Sequence, residues 1–377
     1  MPPPTARLEL NRQRQADPAA VAALVTRAAL RAAARAIADW AEYRPTPTRP
    51  LPGLAARLGV AEVAVKLEGE RFAVGSFKAL GPPYALQREL RRRGGAPNGW
   101  TAVAATSGNH GRALAWGAAR LGARACIFMS AHVSPGRAEA IGRFGADVVR
   151  VPGDFDAASQ AAAEAGRRPR HLLIGDLPVQ GRMDIARDTI CGYAVLGQEI
   201  LAQCGEPPTH VFVAAGNGSL AAAVCARLRL EPGLRQPCIC TVEPTASDAI
   251  RRSLAEGAAV SLPDGASVMD GLVVRAPAAA AWPILRCGLD AALAIPDAAA
   301  LLALRGAASG AWGDAPLAIG ETGIAAVAGL LQAAGDPMMA RALGVGPTSR
   351  LLAIACEGVT DPDVLARLLH EAERAMA

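Results

Sequence analysis

The sequence predicts an α/β protein with two lobes, each built on a mainly parallel sheet flanked by helices. Short β-rich runs alternate with Ala- and Leu-rich helical stretches, a pattern typical of βαβ units. The pattern restarts after Asp176, which indicates a second lobe. With 377 residues and a hydrophobic content of 51%, the chain is long and apolar enough for two cores.

The first half of the chain, up to Asp176, contains three predicted helices and four predicted strands. Each predicted strand is a β-branched or apolar run, and each predicted helix has apolar residues at helical spacing. The predicted helices are Ala20 to Tyr43, His110 to Leu121 and Arg137 to Phe144, and the predicted strands are Val63 to Leu67, Trp100 to Ala105, Ala125 to Met129 and Asp147 to Val151. We expect residues 80–185 to form a smaller, inserted lobe.

The second half begins with a long predicted helix and then returns to the same alternation. The predicted helices are Asp184 to Cys204, Leu220 to Arg229 and a closing helix to Ala377, and the predicted strands are His210 to Ala215, Cys238 to Glu243 and Leu351 to Cys356. The Pro- and Gly-rich segment Gly335 to Thr348 is predicted to be a surface loop. We expect residues 1–79 and 186–377 to form the larger lobe.

Composition and charge argue against several classes of partner. Aromatic residues make up only 4% and the net charge is +5, so we expect no nucleic-acid binding. Residues 1–15 lack the apolar core of a secretory signal, and no run of about 18 strongly apolar residues occurs, so we expect no membrane span. The eight cysteines lack metal-site spacing, which predicts reduced thiols in the cytoplasm and no metal site.

Lysine is scarce in this chain, since Lys66 and Lys78 are the only two among 39 basic residues. Where arginine has replaced lysines that supply only charge, the remaining lysines are candidates for chemistry that arginine cannot perform, such as imine formation. Lys78 ends the run Gly75-Ser76-Phe77-Lys78, which follows a predicted strand and a turn. A lysine after an aromatic residue is usually solvated, but one held in a pocket there becomes a nucleophile.

Two glycine-containing turns each join a predicted strand to a predicted helix. They are Thr106 to Gly111, with the sequence TSGNHG, and Gly216 to Leu220, with the sequence GNGSL. Backbone N–H groups at a helix N-terminus bind carboxylates and phosphates. The first turn could equally be an ordinary capped turn, with Ser107 or Asn109 as the cap and His110 as a packing residue.

The second turn also supports a rival interpretation. With Ala221 it matches G-x-G-x-x-A, and Glu243 ends the next predicted strand, as in dinucleotide-binding folds. The motif is short and occurs often by chance. A nicotinamide-dependent oxidoreductase would also give no role to Lys78 or Asn109.

In this order, the three segments resemble the pyridoxal phosphate enzymes of fold type II, the tryptophan synthase β and threonine dehydratase group. Within that group the chain is most similar to the diaminopropionate ammonia-lyases, from about Arg44 onward. The segments that match are Glu70 to Gly81 around Lys78, Thr106 to Trp116, Gly216 to Ser219, Gly320 to Gly323 and Glu357 to Pro362. The combination is far more specific than any one segment.

The resemblance implies that pyridoxal 5′-phosphate is the cofactor and that the larger lobe binds it. Lys78 would form the imine with the cofactor, and Asn109 would hydrogen-bond its phenolic oxygen. Asp176, which precedes the helix that contains Gly192 and Tyr193, matches a carboxylate implicated in removing the Cα proton. The other implied site residues are Gly216, Asn217, Gly218, Ser219, Glu321 and Cys356 for the cofactor, and Thr106, Ser107, Gly108 and His110 for the substrate carboxylate.

Two residues depart from the family pattern. Ser107 stands where the ammonia-lyases have a second acid associated with the D-substrate, which puts activity on a D-isomer in doubt. Cys356 stands where this fold type usually has Ser or Thr beside the pyridine nitrogen, and a thiol is a weak hydrogen-bonding partner.

The activity that the resemblance implies is a lyase reaction on a small amino acid. A β-substituent, ammonia in the family's reaction, leaves after Asp176 or Lys78 removes the Cα proton, and pyruvate and ammonia result. We also expect a cytoplasmic protein and a homodimer. Other β-eliminations or dehydrations, β-replacement, and a non-catalytic cofactor-binding protein stay open at this point.

Overall fold

The computed structural model describes residues 5–15, 17–106, 108–175 and 183–374, with side chains described to residue 371. Within these ranges the strands are β1 (Arg7–Leu10), β2 (Thr48–Pro50), β3 (Glu62–Leu67), β4 (Thr101–Ala105), β5 (Arg124–Ser130), β6 (Asp147–Val151), β7 (His171–Leu173), β8 (His210–Ala214), β9 (Cys238–Pro244), β10 (Ala291–Ile295) and β11 (Arg350–Ala355).

The helices fill most of the intervals between the strands. In the same described ranges they are α1 (Ala19–Ala22), α2 (Arg27–Ala38), α3 (Pro52–Leu58), α4 (Gly81–Arg93), α5 (Asn109–Leu121), α6 (Pro135–Gly142), α7 (Phe155–Gly166), α8 (Met183–Gln203), α9 (Ser219–Arg229), α10 (Ala249–Glu256), α11 (Trp282–Gly288), α12 (Asp297–Ser309), α13 (Ala325–Gly335), α14 (Pro337–Leu343) and α15 (Pro362–Arg374). None of the described helices is long and apolar enough to cross a bilayer.

The chain forms two compact units. The first comprises Met1–Arg27, Pro45–Glu70 and Leu196–Ala377, and the second comprises Ala28–Arg44 and Arg71–Val195. Compared with the boundaries expected at 79/80 and 185/186, the second unit also takes in residues 28–44, 71–79 and 186–195. Side-chain packing accounts for this, because Trp40 of the first added segment packs against Phe72 of the second and Trp116 of α5.

The first unit contains a seven-stranded sheet in the order β1-β10-β9-β8-β11-β3-β2. The five inner strands are parallel, and the edge strands β1 and β2 pair antiparallel with β10 and β3. Strands β8 and β10 are buried along their whole length, as expected of parallel strands covered on both faces. Because β8 lies between β9 and β11, the turns that follow β8 and β11 lie at the same edge of the sheet.

The second unit contains a four-stranded, fully parallel sheet in the order β6-β5-β4-β7. Its main core consists of apolar side chains from the sheet and from the helices against it, among them Leu86, Leu114, Ile127, Met129 and Ile141. Small alanines on β4 and α5 let the helix approach the sheet closely. The predicted α/β fold of two mainly parallel sheets flanked by helices is thus confirmed.

Most predicted elements are confirmed within two residues at each end, but two predictions are wrong. The helix predicted from Ala20 to Tyr43 is two helices, α1 and α2. Val25 is buried between them, and Thr26 immediately precedes α2, where Thr is a preferred N-cap residue.

The surface loop predicted from Gly335 to Thr348 instead contains helix α14. Asp336 caps it by accepting hydrogen bonds from the N–H groups of Met338 and Met339 at 2.8 and 3.1 Å. Pro337 occupies the first helical position, where a backbone N–H has no partner within the helix and is not needed. Gly344 ends the helix in the left-handed conformation. The same Pro and Gly that predicted a loop are therefore the start and stop of a helix.

Candidate active site

The Lys78 segment is a pair of short 3-10 turns, 72–74 and 77–79, which come shortly after β3. Gly75 joins them in the left-handed conformation, with φ of 67°, and the Ser76 hydroxyl accepts a hydrogen bond from the Lys78 N–H at 3.4 Å. The Lys78 side chain is half-buried, and its Nζ lies 5.3 Å from the centre of the Phe77 ring. The segment thus holds an amine at a turn, next to an aromatic face.

The same segment packs closely against helix α8. The Phe77 ring lies 4.7 Å from the Tyr193 ring, centre to centre. A Cβ on Gly192 would lie only 2.6 Å from the Leu80 carbonyl oxygen, so the helix backbone contacts the backbone just after Lys78. Glycine at 192 permits this approach.

The other lysine, Lys66, is in a different environment in the first unit. It lies on β3 and is completely buried. Its Nζ donates to the Thr46 carbonyl oxygen at 2.6 Å, to Glu199 Oε2 at 2.7 Å and to Gln203 Oε1 at 2.9 Å. A buried ammonium with three acceptors is a structural ion-pair partner, and its amine is engaged.

The loop between β4 and α5 contains most of the predicted substrate-binding residues. The Thr106 hydroxyl accepts a hydrogen bond from the Gly108 N–H at 2.9 Å, and Asn109 is the first residue of α5. The ring of His110 is buried, and its Nε2 is 2.7 Å from the Ile174 carbonyl oxygen, so His110 also ties α5 to the end of β7. Ser107 and Asp176 lie outside the described residues.

The predicted phosphate turn joins β8 to α9 in the first unit. Gly218 is the N-cap residue of α9 and has a φ of +83°, which a residue with a side chain rarely adopts. A Cβ there would lie 2.6 Å from the Leu285 side chain, and a Cβ on Gly216 would lie 3.2 Å from the Leu272 Cα. The glycines therefore leave the backbone of the turn without side chains at the start of an eleven-residue helix.

Hydrogen bonds fix the shape of that turn. The Asn217 side chain accepts from the Ser219 N–H at 3.1 Å, and the Asn217 carbonyl oxygen accepts from the Ala278 N–H at 2.8 Å. The first hydrogen bond within α9 runs from Ala222 N–H to the Gly218 carbonyl oxygen, so the N–H groups before it point out of the helix end. One predicted donor, Ser219 N–H, thus already has an acceptor within the turn.

The late motifs lie at the same edge of the seven-stranded sheet. Cys356 is buried directly after β11, which is adjacent to β8, and Glu321 is buried in a turn before α13. The Gly271 N–H donates to Thr322 Oγ1 at 3.3 Å, and the Thr322 N–H donates to Glu357 Oε1 at 3.1 Å. These bonds connect the segment beside Gly216 to the strand end that bears Cys356.

The first unit's turn is suited to the phosphate of a cofactor. A phosphate dianion needs several N–H donors and a backbone that it can approach closely, and both occur at the start of α9. The two glycine positions already lie against neighbouring residues, so side chains at them would fill the turn. In the part of the chain that the structure describes, no group of three or more His, Cys, Asp or Glu could hold a metal ion.

The dinucleotide interpretation required Glu243 to be available at the end of β9. Its carboxylate is completely buried and accepts from the N–H groups of Ile250 and Arg251 at 2.7 and 2.8 Å. Burial raises the pKa of Glu243 to about 8, against the lowering effect of these two donors. Glu243 therefore anchors the first turn of α10 and has no open side for a ribose.

Sequence reasoning missed two groups of residues around these segments. The first is the 269–272 segment, which lies against Gly216 and has no periodic or motif signal. The second is a contact: Arg112 and Trp116 lie in the matching segment Thr106 to Trp116, but their contact with the backbone and ring of the turn before Lys78 was not predicted. Their spacing from Asn109 places both on one helix face and was a signal for a shared contact.

Comparison with known proteins agrees with this picture. The pyridoxal-phosphate dependent enzyme family matches residues 40–356. The chain is 31% identical over 352 residues to the diaminopropionate ammonia-lyase of Salmonella typhimurium strain LT2, which covers 85% of this chain and 87% of the relative.

Two solved structures of the Escherichia coli diaminopropionate ammonia-lyase are also similar. One contains an aminoacrylate-PLP azomethine reaction intermediate and matches with a TM-score of 0.90 at 27% identity, over 99% of each chain. The other is a complex with D-serine and matches with a TM-score of 0.89 at 26% identity, again over 99% of each chain. These matches confirm the predicted family and fold type II. The chain belongs to the pyridoxal-phosphate dependent enzymes and, within them, to the family of the diaminopropionate ammonia-lyases.

Proposed function

We propose that this protein is a pyridoxal-phosphate dependent carbon–nitrogen lyase that removes a β-substituent from a small amino acid. The substrate is 2,3-diaminopropionate or a related β-substituted alanine, and the products are pyruvate and ammonia. The observation that carries the proposal is the contrast between the two lysines. Lys66 is buried and ion-paired with Glu199, whereas Lys78 is half-exposed at a turn within the family's lysine segment.

The proposed cofactor contacts come from the lysine segment, the start of α5, the turn after β8 and the late motifs. The ε-amine of Lys78 holds the cofactor covalently, and the Asn109 side-chain amide donates to its phenolic oxygen. The turn Gly216 to Ser219 supplies N–H groups to its phosphate, and Glu321 and Cys356 complete the cofactor contacts. The bare backbone and the helix start at Gly218 support the phosphate assignment.

The substrate is bound and deprotonated by residues of the second unit. The segment Thr106 to His110 binds the α-carboxylate, and the start of α5 at Asn109 supports this assignment. When bound, pyridoxal phosphate withdraws electrons from Cα and so makes its proton acidic. Asp176 or Lys78 accepts that proton, the β-amine leaves as ammonia, and the released 2-aminoacrylate hydrolyses to pyruvate and a second ammonia.

Cys356 argues for an elimination in preference to chemistry that demands a stronger electron sink. A thiol is a weak partner for a ring nitrogen, and Cys356 is buried. β-Elimination tolerates a poorly protonated ring, whereas transamination does not. A dehydratase or a β-replacement enzyme on a related amino acid is the second candidate, since these reactions make the same demand.

The compartment and the assembly are also proposed. All eight cysteines are free thiols, and most are buried, which supports a reducing compartment such as the cytoplasm. A homodimer is proposed from the family resemblance alone. Light scattering on purified protein gives its mass in solution, and a mass of one chain would rule out the dimer.

The proposal is tested with a panel of β-substituted alanines in both configurations. Purified protein is incubated with 2,3-diaminopropionate, serine, threonine and β-chloroalanine, while keto acid and ammonia are measured. We expect pyruvate and two equivalents of ammonia from 2,3-diaminopropionate, at the highest kcat/KM of the panel. No keto acid from any substrate would indicate a non-catalytic protein, and a preference for serine or threonine would indicate a dehydratase.

A further inference from the structure

Helix α5 presents three polar or aromatic residues on one face. Asn109, Arg112 and Trp116 are spaced by three and four residues, so their side chains lie along the same side of the helix. Asn109 begins the helix, in the loop proposed to bind cofactor and substrate. The two residues below it contact a different segment, the turn 72–74 that precedes Lys78.

The first of these contacts is a ring stack on a strained residue. Phe72 has a φ of +49°, which is unusual for a bulky side chain and costs on the order of 1 kcal/mol or more. Its ring stacks on the Trp116 ring at 4.6 Å with an angle of 29°, and it also packs against Trp40 at 5.9 Å. The two tryptophans therefore hold Phe72 in a conformation that it would not adopt alone.

The second contact is a charge-assisted hydrogen bond. The Arg112 guanidinium donates to the carbonyl oxygen of Val74, the last residue of the turn. The Gly75 N–H donates back to the Arg71 carbonyl oxygen at 2.9 Å, which closes the turn. Arg71 is fully buried and donates to the Arg44 carbonyl oxygen at 3.3 Å, so the start of the segment is also fixed.

We propose that Arg112 is a positioning residue that sets where the Lys78 amine lies relative to the Asn109 loop. This inference rests on the proposed role of Lys78 as the cofactor lysine. Only Gly75, Ser76 and Phe77 separate Val74 from Lys78, so a shift at Val74 reaches the amine over a short connection. Helix α5 thus fixes the distance between two segments. Asn109 at its first turn belongs to the loop after β4, and Arg112 holds the turn 72–74 before Lys78.

Because the chain has only two lysines, the accessibility of each amine can be measured separately by chemical labelling. In the full-length protein before cofactor is added, acetylation by a dilute acylating reagent is followed by mass spectrometry at Lys78 and Lys66. Lys66 is buried and paired, so it serves as an internal standard for intact folding. The variant Arg112→Met keeps the aliphatic stem and removes the donor. Arg143→Met is the control, since Arg143 is an exposed arginine of the same unit, directly after α6.

We expect Arg112→Met to acetylate at Lys78 at least about threefold faster than wild type, with Lys66 unlabelled, because the turn is no longer held. In the loaded enzyme we expect kcat to fall about ten- to a hundredfold with KM within about threefold, as for a misplaced catalytic group. The midpoint of the cofactor's visible absorbance against pH should also move. Arg143→Met should match wild type in all three measurements.

Several results would overturn the inference. Labelling and kcat in Arg112→Met equal to those of Arg143→Met would remove any positioning role. Rapid labelling of Lys66 would mean that Arg112→Met is unfolded. The test is then repeated on the ring stack with the variants Trp116→Leu and Trp116→Phe. We expect faster labelling of Lys78 only in the leucine variant, which lacks an aromatic ring. If borohydride fixes the cofactor elsewhere than Lys78, the proposed function's lysine is wrong, while the labelling rates still report the position of Lys78.

Discussion

Lys66 Nζ donates to Glu199 Oε2 at 2.7 Å, and both side chains are almost completely excluded from solvent. Thr46 joins the pair, since its N–H donates to the same carboxylate oxygen at 3.3 Å and its hydroxyl donates to Glu68 at 2.5 Å. Burying charges costs several kcal/mol per ion unless the partners satisfy them. This pair therefore links residues 46–48, β3 and the end of α8. Removing either charge would leave the other buried without a partner and would destabilise the fold.

Removing the lysine from that pair should destabilise the protein strongly. In Lys66→Met the Glu199 carboxylate stays buried without its cation, so we expect the free energy of unfolding to fall by about 3–5 kcal/mol. Denaturant unfolding measures this, with Arg350→Met as the control because its partner Glu206 is exposed and such pairs contribute less than about 1 kcal/mol. An equal loss of unfolding free energy in the two variants would mean that the buried pair stabilises the protein no more than an exposed pair does. The double variant Lys66→Met with Glu199→Leu should recover part of the loss.

Replacing the other lysine should leave the fold intact and abolish turnover. Lys78→Ala has no amine to attach the cofactor, so we expect activity to fall by about a thousandfold or more. Lys78→Arg is the control that keeps the positive charge without a nucleophilic amine, and it should be equally inactive. Borohydride reduction followed by peptide mapping should place the cofactor on Lys78 in the wild type. Attachment at Lys66 would contradict the assignment.

The phosphate turn should not accept a carboxylate. In Gly218→Asp a side chain is forced into a left-handed backbone position, 2.6 Å from Leu285, and a negative charge is added where an anion is proposed to bind. We expect the cofactor Kd to rise at least about tenfold, because like charges placed together cost several kcal/mol. Gly205→Asp is the control, since a Cβ at Gly205 meets nothing within 4 Å. Unchanged cofactor occupancy in Gly218→Asp would move the phosphate elsewhere, and nicotinamide binding by the wild type would favour the rival interpretation.

The buried carboxyl of Glu243 should make stability depend on pH. Its pKa is raised from 4.5 to about 8, chiefly by burial and to a smaller extent by Asp248, against the lowering effect of the Ile250 and Arg251 N–H donors and of the Arg251 charge. The folded state then binds a proton more tightly than the unfolded state, so the stability it contributes is full below pH 4.5 and is lost as the pH rises towards 8. We expect the stability of wild type relative to Glu243→Gln to decline across this window and to be level outside it. A difference that is constant with pH would show that the group does not titrate there.

Local pattern predicted most of this fold because the chain's strands are buried apolar runs bounded by turns. The run HVFVA at β8 and the glycines after it are recognisable without any tertiary information. Segment 335–348 was predicted wrongly because Asp336, Pro337 and Gly344 begin and end a short helix, whereas composition alone marks a loop. The partners of Lys66, Glu199 and Gln203, are more than 130 residues away in sequence, so no local pattern could show that this lysine is structural.

The stereochemistry of turnover depends on two residues that lie outside the described part of the chain, and the sequence alone motivates the prediction. Bases on opposite faces of the cofactor are needed to remove the Cα proton from opposite isomers, since a base must lie within hydrogen-bond reach of its proton. The ammonia-lyases that this chain resembles have two acids for this purpose. Here Asp176 remains, and Ser107, whose hydroxyl is a very weak base near neutral pH, replaces the other.

We therefore expect the L-isomer of 2,3-diaminopropionate to be turned over and the D-isomer to be nearly inert, by about a hundredfold or more, the usual contribution of a general base. Asp176→Asn should remove most of the L-activity, whereas Asp156→Asn, a control on the exposed start of α7, should leave it unchanged. Ser107→Asp should introduce activity towards the D-isomer, because it restores an acid on the second face. Keto acid released at similar rates from both isomers by the wild type would contradict the one-base reading. Full activity in Asp176→Asn would leave Lys78 as the base for the L-isomer, and the D-isomer would then need a base that neither Asp176 nor Ser107 provides.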